Sequence, residues 1–594
     1  MKTIQNKNIK LKLFANLLFL LLITIMVGCK KDKLESIVDH RVKQELLSPS
    51  HLRLINLTQY KHVVVGKDTL TNLGLPSIVG PGVEGAVAYP PTTYFPENGV
   101  LGTTWNIPQI FLNASASTKI ILRDWTETGI GSYEMGGQLE VDVKEQGQQA
   151  KDYYVWTSHR YVEENVAPQP KVLEVKRDEN GPTREGYIKI RVINLAAKII
   201  SSGAGIATNA EDILDSYTLS YVDGSAVHPK LSNVAQGEVS EYVELPYGYY
   251  QFRMLAQDKR QLAYGNYSKD ESIIATDPAT STIGQSEGVG SGQTFNPIQS
   301  FNPGGVYTIV VAPMLLEYHG SGGTVGYYQN AYQIIRDNEP AVNRALAKMQ
   351  VVNTLVNYDN ISVRVNDKVF AEVGYAQASD QRISKVGVHK VEIFDTKNTL
   401  LTSQEIKLIG NDNVTIWVNQ DRTGKIIASV AYNNLTGVRH LGNADDNADY
   451  SRFKFSFPFE LRFFNFAPEY NYLTFTRDEG QNLAGNLEAN VRAFQNLQPG
   501  QVVNMNPMTY PVMYNNMGFN IYCYQSTPEV VPGDRLLTIQ KLNTEDLITN
   551  KALYDVRGKL PSYEAGIYSI AIIGNSKAAT DAKKPRFFVL KHHQ

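Results

Sequence analysis

Six residues, Leu52-Arg53-Leu54-Ile55-Asn56-Leu57, return three more times with little change. The copies are Ile190-Arg191-Val192-Ile193-Asn194-Leu195, Met349-Gln350-Val351-Val352-Asn353-Thr354 and Leu461-Arg462-Phe463-Phe464-Asn465-Phe466. Each is apolar or β-branched apart from one polar residue at its second position and one Asn at its fifth; the third ends in Thr. Each sits just after a polar, turn-rich stretch, which is how a strand opening a domain reads. Those stretches are 176–182, 336–340 and 442–449, rich in charge, Asn and Pro, and boundaries fall in such segments. The Asn positions are 138, 159 and 112 residues apart, with 129 more to the end. A single small fold does not repeat on that scale, so the pattern predicts four domains of ordinary size. At a strand end the Asn amide is suited to bonding local backbone and favouring a turn, so it is read as serving the fold.

Two further patterns follow each opening strand. One is an alternating strand that ends in a turn: Ile361 to Val365 before Asn366-Asp367, Leu473 to Thr476 before Asp478-Glu479-Gly480, and Leu219 to Val222 before Asp223-Gly224. Ile361, Val363 and Val365 fall on one face and Ser362 and Arg364 on the other, one packed and one wet. The second pattern is a Gly leading into a strand, at Gly248, Gly387 and Gly566. Val306 to Val311 and Val414 to Val418 read as closing strands. The 34 tyrosines agree with a β-rich protein. In this order the patterns resemble the bacterial family called domain of unknown function 4397. The fit is best over 186–335 and 345–437. That resemblance implies secreted or lipid-anchored β-sandwich modules in tandem, and it implies no shared activity.

The expected architecture is all-β: tandem Ig-like or transthyretin-like sandwiches in an elongated array. The expected boundaries are 49–175 (divergent and aromatic-rich), 186–335 (with long Gly/Ser loops at 281–305 and 319–323), 345–437 and 455–594.

The N-terminus carries Lys2, Lys7, Lys10 and Lys12 ahead of an apolar run from Leu13 to Val27. The run is short for a membrane span and reads as a signal peptide, 1–28. Met26-Val27-Gly28-Cys29 resembles the bacterial lipobox, with Met where Leu is usual. The resemblance implies cleavage after Gly28 and acylation of Cys29, followed by a polar tether over 29–48. Cys29-Lys30-Lys31-Asp32-Lys33 resembles lipoproteins of the Bacteroidota, which implies an outer-membrane anchor with surface exposure favoured over the periplasm. Cys523 then has no disulfide partner.

The formal charge of −2 gives no basis for binding nucleic acid. The ten histidines form no zinc pattern, the Gly-rich run 288–292 lacks the ending of a phosphate loop, and Ser321 is in no nucleophile elbow. No cofactor is expected. Asp445, Asn447 and Asp449 have the alternate spacing of a calcium loop, but Tyr450 and Ser456 stand where an EF-hand needs Gly and Glu; a solvated linker competes with that reading. Trp105, Trp125 and Trp156, with Tyr89 and Tyr94, form either a glycan-stacking platform or part of a sandwich core. The expectation is a non-enzymatic, lipid-anchored adhesion or binding protein that captures a glycan or a protein. The alternatives are a structural stalk or accessory subunit of an envelope complex, and a hydrolase with an unrecognised carboxylate pair.

Overall fold

The computed structural model describes residues 47–593 except 59, 73–90, 97–98, 130–131, 158–169, 198–213, 260, 265–275, 278–281, 284–298, 321–322, 339, 434–458, 484–487, 504–511, 514–517, 554–563 and 565. The described residues are mostly strand, arranged as separate sheets, with helix confined to short 3-10 turns.

The four repeated stretches are strands Pro49–Asn56, Tyr187–Asn194, Leu346–Asn353 and Phe459–Phe466. Every one lies inside a sheet, with antiparallel pairing on one side (to two short strands, Gln377–Ala378 and Arg382–Lys385, in the third) and a parallel strand from far down the chain on the other. The parallel partners are Lys151–Thr157, Val306–Gly320, Asn413–Gln420 and Gly566–Ile573. Each partner then turns back into a final antiparallel strand. The described residues thus form four units of one topology, each with a second set of strands closing the other side of a sandwich-like core.

The turns follow their residues. Asn366 and Asp367 both have positive φ (51° and 63°) between the paired strands Asn360–Val365 and Lys368–Gly374, as a tight hairpin requires. Gly566 corrects one expectation. It does not lead a strand equivalent to those after Gly248 and Gly387; its strand is the closing, parallel strand of the fourth unit. The Gly/Ser run at 319–323 is also not a long loop: Gly320 pairs with Gly323 at the tip of a hairpin.

The Asn of each repeat has one job, repeated four times. Asn194 Nδ2 donates to Asp215 O and Val234 O, both at 3.0 Å, while its Oδ1 accepts the Ala196 N–H. Asn353 Nδ2 donates to Tyr358 O and Val373 O, and its Oδ1 accepts the Leu355 N–H. Asn465 does the same with Tyr470, Leu497 and Ala467. Asn56 bonds Tyr60 O and the Thr58 N–H. All four are buried, so the amide satisfies backbone groups that turn away from the ladder where water does not reach.

The opening strands are buried on both faces. Positions one and three, Leu52 and Leu54, Ile190 and Val192, Met349 and Val351, Leu461 and Phe463, enter the core of their own unit. Position four faces a neighbouring unit. Ile55 joins Tyr154, Trp156, Ile193, Val310 and Met314 in a seam between units one and two. Val352 joins Trp417, Phe464, Phe466 and Ile573 between units three and four. The units therefore dock sheet face on sheet face, with apolar seams like cores.

The polar second position serves those seams. Arg191 donates to Lys176 O, on the last strand of unit one, at 3.0 Å. Arg462 donates to Tyr432 O, on the last strand of unit three, at 3.0 Å. The same contact made in both pairs gives two modules, each of two units. The in-line, elongated arrangement expected from the spacing is corrected here. Leu346 of unit three packs into the core of unit two, Val222 of unit two packs into that of unit four, and Lys259 Nζ donates to Ala552 O.

Candidate functional site

The residues expected to hold ligands are placed as follows. Gly28, Cys29, Tyr89, Asp445, Asn447 and Asp449 lie outside the described residues. Trp125 lies on strand Ser117–Gly129, opposite Met135. Trp105 is in the core of unit one, its ring 5.6 Å from Phe95 and 6.3 Å from Phe111, with Tyr94 half-buried against that core. Trp156 is buried in the seam with unit two. Trp105 and Trp156 thus belong to different apolar clusters and share no stacking surface. Trp156 Nε1 is buried with no hydrogen-bond partner among the described residues. Trp156→Phe removes that orphan donor together with some apolar surface, and the two effects oppose. The variant is expected to stay within about 1 kcal/mol of the parent in a denaturant titration.

An open cleft lies between units two and three. Tyr187 starts the opening strand of unit two, and Pro246 ends its antiparallel neighbour Val243–Pro246. Leu346 starts the opening strand of unit three, and the short strand Arg382–Lys385 pairs with it. These four segments surround about 400 Å³. Tyr187, Pro246, Leu346 and Ile383 supply apolar walls; Glu185, Gln381, Arg382, Ser384 and Lys385 supply polar groups.

The close approach depends on Gly186. Its φ is +76°, and a Cβ there would meet Ile383 Cδ1 at 2.8 Å. Arg184 stacks 3.8 Å above Tyr187 and is paired with Glu244 at 3.1 Å, so its charge is already matched. Arg382 lies over the Phe370 ring, and neither it nor Lys385 has a carboxylate within ion-pair distance among the described residues. Close by, Lys348 is buried over the Tyr247 ring at 5.1 Å, and burial pushes its amine down to about 8.

Two other polar clusters are too buried to meet a ligand. In the first seam, Asp152 accepts from Arg53 (2.9 and 2.6 Å) and Arg177 (2.6 Å), and Asp337 accepts from Arg53 (2.7 Å), Tyr242 (2.9 Å) and Thr308 (2.5 Å). Burial opposes the Arg53 charge, but Asp152 and Asp337 outweigh it and hold the guanidinium ionised. The second cluster surrounds Lys591, His592 and His593, where units two, three and four meet. Cys523 sits in the core of unit four, and burial pushes its thiol far up.

Among the described residues there is no group of His, Cys, Asp and Glu able to hold a metal. The cleft could not have been found from sequence patterns, because its walls come from four separate segments with no shared motif. No family model matches the chain, and no curated protein matches it.

Proposed function

We propose that the chain is a lipid-anchored binding protein of the outer membrane, exposed at the surface and without catalysis of its own. It captures a glycan or protein in the cleft between units two and three. The observation that carries this reading is the cleft itself: Arg382 and Lys385, with Glu185 as the one carboxylate in the lining, beside apolar walls, in a volume typical of ligand sites. Its walls come from rigid strands of two docked units, so little ordering is needed on binding. The lipobox-like Met26-Val27-Gly28-Cys29 supports the anchor.

The test combines location with binding. Proteinase K on intact cells should remove the fourth unit; full protection sinks the surface assignment. A glycan and protein array should then yield ligands whose binding drops about tenfold or more, roughly 1.4 kcal/mol, in Arg382→Glu/Lys385→Glu. An array hit whose affinity the double variant leaves intact is bound elsewhere.

A second reading, an accessory subunit of an envelope complex, is favoured by the hairpin of unit two. Strands Val306–Gly320 and Gly323–Arg336 pair with each other throughout, but the opening strand flanks only Val306–Val311. Ala263–Tyr264 pairs with the second strand at Ala331–Tyr332, and Ala312 and Met314 pack in the seam with unit one; beyond Met314 the hairpin continues as a two-stranded ribbon, carrying the register pairs Leu315↔Tyr328 and Leu316↔Tyr327. A two-stranded ribbon of that length has little stability by itself, so a protein partner would benefit it. Cross-linking from this ribbon in cells tests that reading.

A further inference from the structure

The two modules are joined by a short link and by a junction unlike the seams inside them. Asn338 is fixed to unit two: its Nδ2 donates to Gly304 O (3.1 Å) and its Oδ1 accepts the Val306 N–H (2.8 Å). Asn343 is fixed to unit three: its Nδ2 donates to Leu346 O (2.9 Å) and to Asn411 Oδ1 (2.8 Å). Between those anchors Pro340, Ala341 and Val342 make no hydrogen bond among the described residues. The seams inside the modules are built on apolar clusters. Across the modules, Tyr249 Oη donates to Asn411 O (3.4 Å), Lys259 Nζ donates to Ala552 O (2.9 Å), and His593 Nε2 lies 3.1 Å from Gln251 Oε1. Among the described residues, the apolar side chains that cross into a neighbour's core there are Leu346, Ile383 and Val222. A junction with so much polar contact favours relative motion of the parts it joins.

Lys348 stands in that junction. It follows Leu346 on the opening strand of unit three and pairs with Ile383, and both of those residues line the cleft. Its Nζ reaches unit two: it lies over the Tyr247 ring, and a Cβ at Gly248 would collide with it. The residue is 7% exposed. The charged groups on the surrounding elements are Glu185 and Glu244 of unit two, with Arg344, Arg382, Lys385 and Asp412 of unit three. Glu244 is held by Arg184, and Asp412 Oδ2 accepts the Ile409 N–H at 2.8 Å. Among the described residues no carboxylate lies within ion-pair distance of Lys348 Nζ, and the Tyr247 hydroxyl stays protonated because burial pushes it far up. An ammonium buried without an anion opposes the contact that buries it. That contact is with unit two, so parting the units returns the amine to water.

We infer that the two modules form a hinged clamp: they swing apart and together about residues 340–342, which opens and closes the cleft between units two and three, and the buried Lys348 ammonium biases the clamp toward open. Each unit keeps its own shape as the link turns. The clamp does not depend on what the cleft binds. The bias has a definite sign with pH. Burial lowers the docked amine to about 8, and the exposed amine returns to about 10.4. A lowered docked value means docking is strongest above about pH 10.4, weakens as pH falls, and levels off below about 8. The charge therefore favours opening by about two-hundredfold at pH 7.5 and by about tenfold at pH 9.5.

The test uses the full anchored chain in detergent, with nitroxides at Gln257→Cys in unit two and Thr396→Cys in unit three, both exposed positions. The parent at pH 7.5 should give two distances, a short one for the closed clamp and a longer one for the open clamp. Lys348→Met keeps a long side chain and removes the charge, so it should cut the long-to-short ratio by about a hundredfold or more and leave the short distance. Raising the parent from pH 7.5 to pH 9.5 should lower its ratio about twentyfold, with no such change in Lys348→Met. A single short distance in the parent at pH 7.5 overturns the clamp. So does a long population that Lys348→Met leaves as it was. A pH response of the parent's size in Lys348→Met also overturns it, since the titrating amine would then be Lys591, which is buried against Glu564 in unit four.

Discussion

Asp152→Ala should cost the first module about 3–5 kcal/mol, which for two units of this size is a fall in melting temperature of about 10 °C. Asp152 is fully buried and takes three bonds from two guanidiniums. Its removal leaves Arg53, Arg177 and Arg191 in one seam with Asp337 as the remaining buried carboxylate. Arg53 would keep Asp337 and the Arg336 carbonyl, and Arg177 would keep only Glu179, which is half exposed. The cost is that of an uncompensated buried charge rather than of lost attraction. Asp152→Asn should therefore be nearly as damaging as Ala, because it restores shape but puts an NH2 among donors. Breaking the exposed Lys119–Glu140 pair should leave the transition where it is, since water replaces that contact. The measurement is calorimetry on the full chain, following the transition of the first module. A shift of under 2 °C for Asp152→Ala would mean that water or rearrangement relieves the charge, and the seam would not be specified by this network.

The parts legible from sequence were those written in consecutive residues. An opening strand with apolar residues at one, three and four has the near-continuous pattern of a strand covered on both sides. What covers its second side was not legible, since Arg53 meets Asp337 across 284 positions. The sequence marks position two only as polar; in three copies it is an Arg that is buried and bonded across or along a seam. For Trp105 and Trp156 the core reading is the one that matches their burial, although they serve two different clusters. Trp105 and Trp156 belong to the same unit, but they occupy different strands and opposite sides of one sheet. Gly566-Ile567-Tyr568 matched the Gly-led strands at 248 and 387 because local pattern carries no information on which strand lies alongside. The cleft and the His592–His593 junction were hidden for the same reason: each is made by docking, and docking surfaces here use common residues at unremarkable spacing.

Asn353→Asp should be the most damaging single change within the repeated strand, costing about 5 kcal/mol at pH 7 although it alters one atom. Asn353 is fully buried, and its NH2 is held between the Tyr358 and Val373 carbonyls at 3.1 and 3.2 Å. An ionised Asp would press a carboxylate oxygen onto both. The side chain would instead stay protonated, and keeping a carboxyl with an ordinary value near 3.9 protonated at pH 7 costs about 4 kcal/mol. One O–H also serves only one of the two carbonyls, which adds about 1 kcal/mol or more for the other. The sign follows from a folded-state value raised above the unfolded one. The deficit is smallest below about pH 4 and deepens as pH rises, so it should shrink by about 3 kcal/mol between pH 7 and pH 4.5 relative to the parent at each pH. Asn353→Ala leaves the same carbonyls unbonded without a titrating group, and its deficit of about 2–3 kcal/mol should be flat with pH. Paired denaturant titrations of parent, Ala and Asp at the two pH values decide the matter. A flat deficit for Asp would show that the amide does not face the carbonyls. Unchanged stability in both variants would mean the repeated Asn is kept for something other than the fold, and the same substitutions at Asn194 and Asn465 would then show whether that purpose is shared by the units.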